Sequence, residues 1–421
     1  MADGKTRIEH DSLGSVEVAA HALYGAHTAR ARKNFDVSGI TLQQRPALLI
    51  ALARVKVAAA LANVELAALK PRLGEAIAAA GREVARGEWH EQFPLDVVQG
   101  GGGTSTNMNV NEVLANRGNE LLGGGRGVYD PLHPNDHVNR SQSTNDVYPT
   151  ALQIATIELT AQATQSFGHL AAVLERKAEE VGSMERIGRT CLRDAIPVPA
   201  GPVHRSQAAA IVRTARDLAA AVEPLHVIPL GATVVGTGFG APPGFAERAV
   251  AHFAEETALP LLPDPLPYGA LAHHDQYVAV ASALVRAMLV AAKFAADLRY
   301  LASSPVGEIE LPAVQAGSSA MPGKVNPVMP ELVIQVSYET RAAARAVELA
   351  AASGELELNV MEPVIAKHLL GMLEAAGRTA RLFADRCVAG MRWNEERIQA
   401  NLEGSLAASM ERAAERGYDN T

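Results

Sequence analysis

The sequence predicts an all-α protein whose middle is a bundle of long helices. Three observations predict it. Alanine is abundant and aromatic residues make up only 4% of the chain, which favours closely packed helices over sheets because alanine and leucine are strong helix formers. Apolar residues recur at helical spacing over roughly 147–181, 205–224, 273–303 and 327–352, with a fifth run near 363–389. Stretches rich in glycine and proline, at 100–103, 122–127, 196–202, 236–245 and 303–327, punctuate the chain between them. In the run 273–303, Tyr277, Val280, Ala281, Leu284, Ala287, Met288, Ala291, Phe294, Leu298 and Leu301 form one apolar stripe. Helices of that length bury such stripes in bundles, often across subunits. The expected organisation is an N-terminal helical domain over 1–144, a central bundle over 145–360 and a short C-terminal helical domain over 361–421.

Bulk properties narrow the function class. The chain has 421 residues, enough for two or three domains and a large core. No stretch reads as 18 uncharged apolar residues between basic anchors, so no membrane-spanning helix is expected. Met1–Lys5 lacks the charged-then-apolar layout of a signal peptide. Two cysteines, Cys191 and Cys387, argue for a reducing, cytoplasmic setting and against a disulfide scaffold. A net charge of −8 with scattered basic residues gives no nucleic-acid footprint.

Three polar clusters stand at the junctions of these runs. The first, Gln99 to Asn109, passes from Gly100–Gly103 into Thr104, Ser105 and Thr106 and then into a helix. Glycines let backbone approach a ligand, and a helix N-terminus offers free N–H groups to a carboxylate. The bland alternative is a loop with ordinary capping residues. The second, Ser141-Gln142-Ser143-Thr144-Asn145-Asp146, brings hydroxyls and an amide to a helix start, and taken alone it reads better as a capping cluster than as a ligand site. The third is Gly317-Ser318-Ser319-Ala320-Met321-Pro322-Gly323-Lys324-Val325-Asn326. Two serines lie between flexible glycines, Lys324 offers a point charge to a carboxylate, and Asn326-Pro327 reads as an N-cap leading into the 327–352 helix. His133 and His137 have zinc-ligand spacing if helical, but Pro134 and Asp136 favour a turn, so no metal is expected there.

The ten-residue string at 317–326 resembles the signature of the aspartase/fumarase superfamily. The resemblance extends along nearly the whole chain, through Thr6–Gly14, Tyr24-Gly25, Gly103-Thr104, Asn107-Met108-Asn109, the block 133–149, Gly188-Arg189-Thr190 and Gly236-Thr237-Gly238. It implies a homotetramer with a core of twenty helices, in which each active site gathers one polar cluster from each of three subunits. It implies a lyase that takes a C3 proton from a C2-substituted succinate and expels the C2 group to give fumarate, with no metal or organic cofactor. Carried over by position, Ser318 as its alkoxide is the base. Thr104, Ser143, Thr144 and Ser319 clamp the β-carboxylate, and Lys324, Asn326 and Thr190 hold the α-carboxylate. Asn145 contacts the leaving group, and the loop 311–326 closes over substrate. The positions matching His133, Asn135 and Asp136 form a secondary anion site in fumarases.

Ser143–Asp146, Asn326–Glu331 and Asn359–Ile365 are similar to aspartases, as is Gly102, where fumarases place a serine. This favours aspartate, giving fumarate and ammonia. The departure is Cys191, where fumarases have histidine paired with a glutamate at the position of Glu331. A thiol is a poor substitute for that proton carrier, which disfavours hydration. A buried, chemically idle cysteine is the plain reading of it. A roomier leaving-group pocket keeps open other substituted succinates, namely nitrosuccinate or an N-substituted aspartate. A non-catalytic structural homotetramer is the alternative from another class, opposed by the presence of Ser318, Lys324, Asn326, Thr104 and Thr144. Pro199–Arg205 departs from the family's usual run, leaving Arg193 and His204 without an assigned place, and the C-terminal domain reads as abbreviated after Gly417-Tyr418.

Overall fold

The computed structural model describes residues 5–418; Met1–Gly4 and Asp419–Thr421, with the expectations placed on them, lie outside the described residues. The architecture is all-α. In chain order it runs β1 (Thr6–Asp11), β2 (Gly14–Ala19), α1 (Ala26–Asn34), α2 (Pro46–Glu65), α3 (Pro71–Ala85), α4 (Thr104–Leu121), α5 (Thr144–Val181), β3 (Glu185–Thr190), β4 (Arg193–Pro199) and α6 (Ala200–Ala220). It continues through β5 (Val227–Ile228), α7 (Phe245–Thr257), β6 (Leu262–Pro263), α8 (Tyr268–Ala272), α9 (Asp275–Leu301), β7 (Ile309–Glu310), α10 (Val328–Ala351), α11 (Glu362–Phe383), β8 (Arg392–Trp393), α12 (Glu395–Glu403) and α13 (Ala407–Arg416). The five periodic runs of the sequence correspond to α5, α6, α9, α10 and α11, with ends differing by a few residues. Helix starts follow local chemistry. Proline occupies the first position of α2 and α3, where its missing N–H costs nothing.

Two segments expected within helical domains are strand pairs instead. At the N-terminus β1 and β2 form an antiparallel hairpin, because Val16 and Val18 alternate inward against Ala22 and Ala26. The second hairpin, β3–β4, interrupts the helical region between α5 and α6. His133–His137 is neither a free turn nor a regular helix: Pro134–Val138 forms one π-helical turn.

The chain folds as two compact units, each assembled from three stretches. Unit 1 comprises 1–159, 221–281 and 343–371; unit 2 comprises 160–220, 282–342 and 372–421. The sequence boundaries near 144 and 360 fall within two residues of the starts of α5 and α11 and divide the chain along its length instead.

By length and composition α2 and α9 are long and apolar enough to cross a bilayer, which the sequence reading did not anticipate. In unit 1, α2 is apolar nearly all round because it is a core helix: Leu48, Leu49, Leu52, Val55 and Val57 are all buried, and its one fully buried charge is Lys56.

Candidate active site

In unit 1, three consecutive glycines lead to Thr104. Gly101, Gly102 and Gly103 all hold left-handed φ, and Gly103 sits at the N-cap of α4 with φ 85°. A Cβ on Gly103 would stand 2.3 Å from the ring of Tyr148, so glycine is required by contact as well as by φ. Thr104, the first residue of α4, is exposed, and its hydroxyl donates to the Gly101 carbonyl at 2.8 Å.

The second cluster starts α5 as a reciprocal cap. The Ser143 hydroxyl accepts from the Asn145 N–H (3.2 Å), and the Asp146 carboxylate accepts from the Ser143 N–H (2.9 Å). Asp146 also accepts from the N–H groups of Gly231 and Thr233, each at 3.0 Å. The Asn145 amide donates to the Val234 carbonyl at 2.8 Å. Asn107 bridges the first two clusters: its amide nitrogen donates to the Thr144 hydroxyl and to Asn139 Oδ1, each at 3.1 Å. Asn107 thus links α4, the helix that Thr104 begins, to the start of α5.

Behind it lies a polar layer that the sequence reading missed. Lys56 is fully buried, and its ammonium donates to Asn139 Oδ1 and Gln142 Oε1, each at 3.0 Å. Desolvation pushes its pKa down to about 7, while Asp146 pulls it upward. Its trace in the sequence is a lone lysine in the apolar run Val55-Lys56-Val57-Ala58-Ala59-Ala60. Between about pH 7 and the ordinary lysine value near 10.4, the unfolded chain binds a proton that the folded chain lacks. On this group's account stability rises with pH across that window. Burial shifts the Asp146 carboxyl upward, so Asp146 acts oppositely, between its ordinary carboxylate value and its folded one. Urea titrations at about pH 7 and about pH 9 should show wild type gaining stability with pH and Lys56→Met gaining less; equal slopes would contradict this account of Lys56.

In unit 2, the loop 317–326 is closed at its neck. The Gly317 N–H donates to the Lys324 carbonyl at 2.9 Å, and the Asn326 side-chain amide donates to the Gly317 carbonyl at 2.5 Å. A Cβ on Gly317 would meet Lys324 O at 2.4 Å and Asn326 N at 2.7 Å, both backbone atoms that cannot yield. The Asn326 side chain therefore closes the loop, a role different from the N-cap expected of it, and α10 begins at Val328. Inside the closed loop the half-buried Ser318 hydroxyl oxygen accepts from two backbone N–H groups, Ala320 at 3.1 Å and Met321 at 2.8 Å. Two N–H groups aimed at one oxygen favour negative charge on it. Ser319 and Lys324 are exposed.

Thr190 and Cys191 are at the tip of the β3–β4 hairpin, also in unit 2. The two-residue connection Cys191-Leu192 holds φ 50° and 59°, a turn that normally takes Asn-Gly. Holding two such side chains in the left-handed region costs on the order of 1–2 kcal/mol each. The Tyr300 hydroxyl donates to the Leu192 carbonyl at 3.3 Å. Cys191 is exposed, which corrects the expectation that it is buried; the buried cysteine is Cys387, whose thiol desolvation pushes up to about 12. Among the described residues no hydrogen bond joins this hairpin tip to the 317–326 loop. Arg193 is exposed beside the tip. His204 is buried between Trp393 and Phe294, and burial lowers its pKa.

His133 and His137 each spend Nδ1 on backbone N–H groups of their own turn. Among the described residues no group of three or more His, Cys, Asp or Glu could hold a metal. His133 and Asn135 line a cavity of about 670 Å³ together with His10, His27 and Arg30.

Comparison with known proteins identifies the family. The profile of a family described as lyase matches residues 14–341. The class II fumarate hydratase of Thermosynechococcus vestitus is 42% identical over 98% of this chain and 89% of its own length. The aspartate ammonia-lyase of Bacillus subtilis is 40% identical over 95% of this chain and 84% of its own. A solved structure, the fumarate lyase:delta crystallin of Brucella melitensis, is similar with a TM-score of 0.94 and 41% identity, covering 99% of this chain and 91% of that one. The chain belongs to the aspartase/fumarase superfamily and is a lyase.

Proposed function

We propose that this lyase eliminates the C2 substituent of a substituted succinate to give fumarate, with aspartate as substrate and ammonia as leaving group. The observation that carries the reading is the Ser318 oxygen held by the N–H groups of Ala320 and Met321. A serine becomes a base strong enough for a carbon acid only as its alkoxide, and such donors favour that form. The alkoxide takes the C3 proton, and the electron pair passes into the adjacent carboxylate as an aci-carboxylate. That pair then forms the C2–C3 double bond as the C2–N bond breaks. Thr104, Ser143, Thr144 and Ser319 bear the added charge on the β-carboxylate. Lys324, Asn326 and Thr190 hold the α-carboxylate, and Asn145 faces the leaving amine. The reading joins these residues from three copies in a homotetramer with a twenty-helix core, where the loop 311–326 closes over substrate and excludes water.

Identity to a fumarate hydratase and to an aspartate ammonia-lyase is nearly equal, so the leaving group rests on individual residues. Exposed Cys191 favours nitrosuccinate as a second reading, because nitrite departs without the proton that a thiol supplies poorly.

The test follows fumarate by ultraviolet absorbance with L-aspartate, L-malate and nitrosuccinate in parallel. Aspartate should give fumarate and ammonia in equal amounts. Turnover of nitrosuccinate alone would transfer the assignment to the second reading, and fumarate from none of the three would leave an N-substituted aspartate as substrate or a non-catalytic tetramer.

A further inference from the structure

Unit 1 contains a buried ion pair that the elimination does not use. His274 Nε2 lies 3.1 Å from Glu362 Oε1, with side-chain exposures of 2% and 3%. His274 Nδ1 lies 3.1 Å from the His273 carbonyl and so carries a proton. Nε2 and Oε1 are thus paired by distance and charge, without the geometry of a hydrogen bond between them. A charge pair this deep contributes little net stability. Its surroundings suggest another use.

Three backbone segments converge on it. Glu362 is the first residue of α11, and Val360, two residues earlier, packs on the glycine turn, where a Cβ on Gly102 would lie 3.6 Å from Val360 Cα. The Tyr148 ring fills the space a Gly103 side chain would need, and burial, with the Glu362 charge second, raises the pKa of Tyr148. The Tyr277 hydroxyl, also near Glu362 and with its ring 5.6 Å from that of His274, donates to the Pro149 carbonyl in α5 at 3.3 Å. The approach to α11 is rigid: the Asn359 N–H donates to the Leu271 carbonyl, its side-chain amide to the carbonyls of Ala350 and Ala351, and its oxygen accepts from the Met361 N–H. The pair thus sits behind both the turn that presents Thr104 and the start of α5 that presents Ser143–Asn145.

We propose that the buried His274–Glu362 pair is a positioning device for substrate carboxylate binding, fixing the glycine turn and the start of α5 through Val360, Tyr148 and Tyr277. It accounts for the Asn359–Ile365 segment, which the catalytic roles left unexplained. The inference rests on the reading of Thr104, Ser143 and Thr144 as a carboxylate clamp.

The test measures the fumarate Kd together with KM and kcat for aspartate in Glu362→Gln and in the double variant His274→Gln/Glu362→Gln. Glu362→Gln should raise Kd and KM by about tenfold, the ordinary scale of coupling between sites, with a smaller change in kcat. The double variant leaves no buried charge unpaired, so it should recover Tm while Kd and KM stay raised. It also serves if the single variant does not fold. A purely structural role would lower Tm and leave Kd and KM within about twofold of wild type, and that result would overturn the proposal. Fumarate binding without aspartate turnover in wild type would sink the assigned chemistry, while Kd would still report on the pair.

Discussion

Replacing Ser318 with alanine should lower the rate of fumarate formation by about 10²–10⁴-fold, the scale of removing a positioned base. The substitution is clean because the loop does not depend on the hydroxyl for closure. The Gly317–Lys324 backbone bond and the Asn326 amide hold the neck, and the oxygen lost is the acceptor inside it. The N–H groups of Ala320 and Met321 lose a partner at an exposed position, where water replaces it at little cost. Helix content by circular dichroism should therefore match wild type while kcat collapses and KM changes little. Undiminished turnover in Ser318→Ala would remove the residue from the chemistry.

Gly103→Ala should be strongly destabilising. Alanine at φ 85° costs on the order of 1–2 kcal/mol. Its methyl would overlap three atoms of the Tyr148 ring, the nearest at 2.3 Å, and Tyr148 is only 1% exposed and cannot swing away. Overpacking of that kind adds about 1–3 kcal/mol. The sum, about 2–5 kcal/mol, should appear as a lower urea midpoint. Because Gly103 caps the helix that begins at Thr104, the folded fraction should also bind dicarboxylate more weakly. Trimming the ring in Tyr148→Leu/Gly103→Ala should return the packing share and leave the backbone share. A variant as stable as wild type would mean that the turn relaxes freely.

The long helices were legible because each carries a sustained apolar stripe that only helical spacing explains, as Tyr277 to Leu301 does for α9. Both hairpins were missed. β1–β2 alternates over only a few residues, and β3–β4 turns through Cys191-Leu192, residues that give no turn signal. The loop at 317–326 was legible as a motif, but its internal bonding was not. Asn326 followed by Pro327 reads as a cap by local chemistry, whereas its partner, Gly317, is nine residues back. Lys56 and the His274–Glu362 pair were invisible for the same reason. Lys56 is one ionisable residue in an apolar helical run and His274 one residue just before α9, and their partners, Asn139 and Gln142 or Glu362, are more than 80 positions away.

The central claim is that Ser318 moves the C3 proton, and isotope exchange tests it most directly. Wild type incubated with fumarate and ammonia in deuterium oxide should form aspartate carrying deuterium at one C3 position. Ser318→Ala, folded and at equal concentration, should form essentially none. Deuterium incorporation by Ser318→Ala at the wild-type rate would contradict the account.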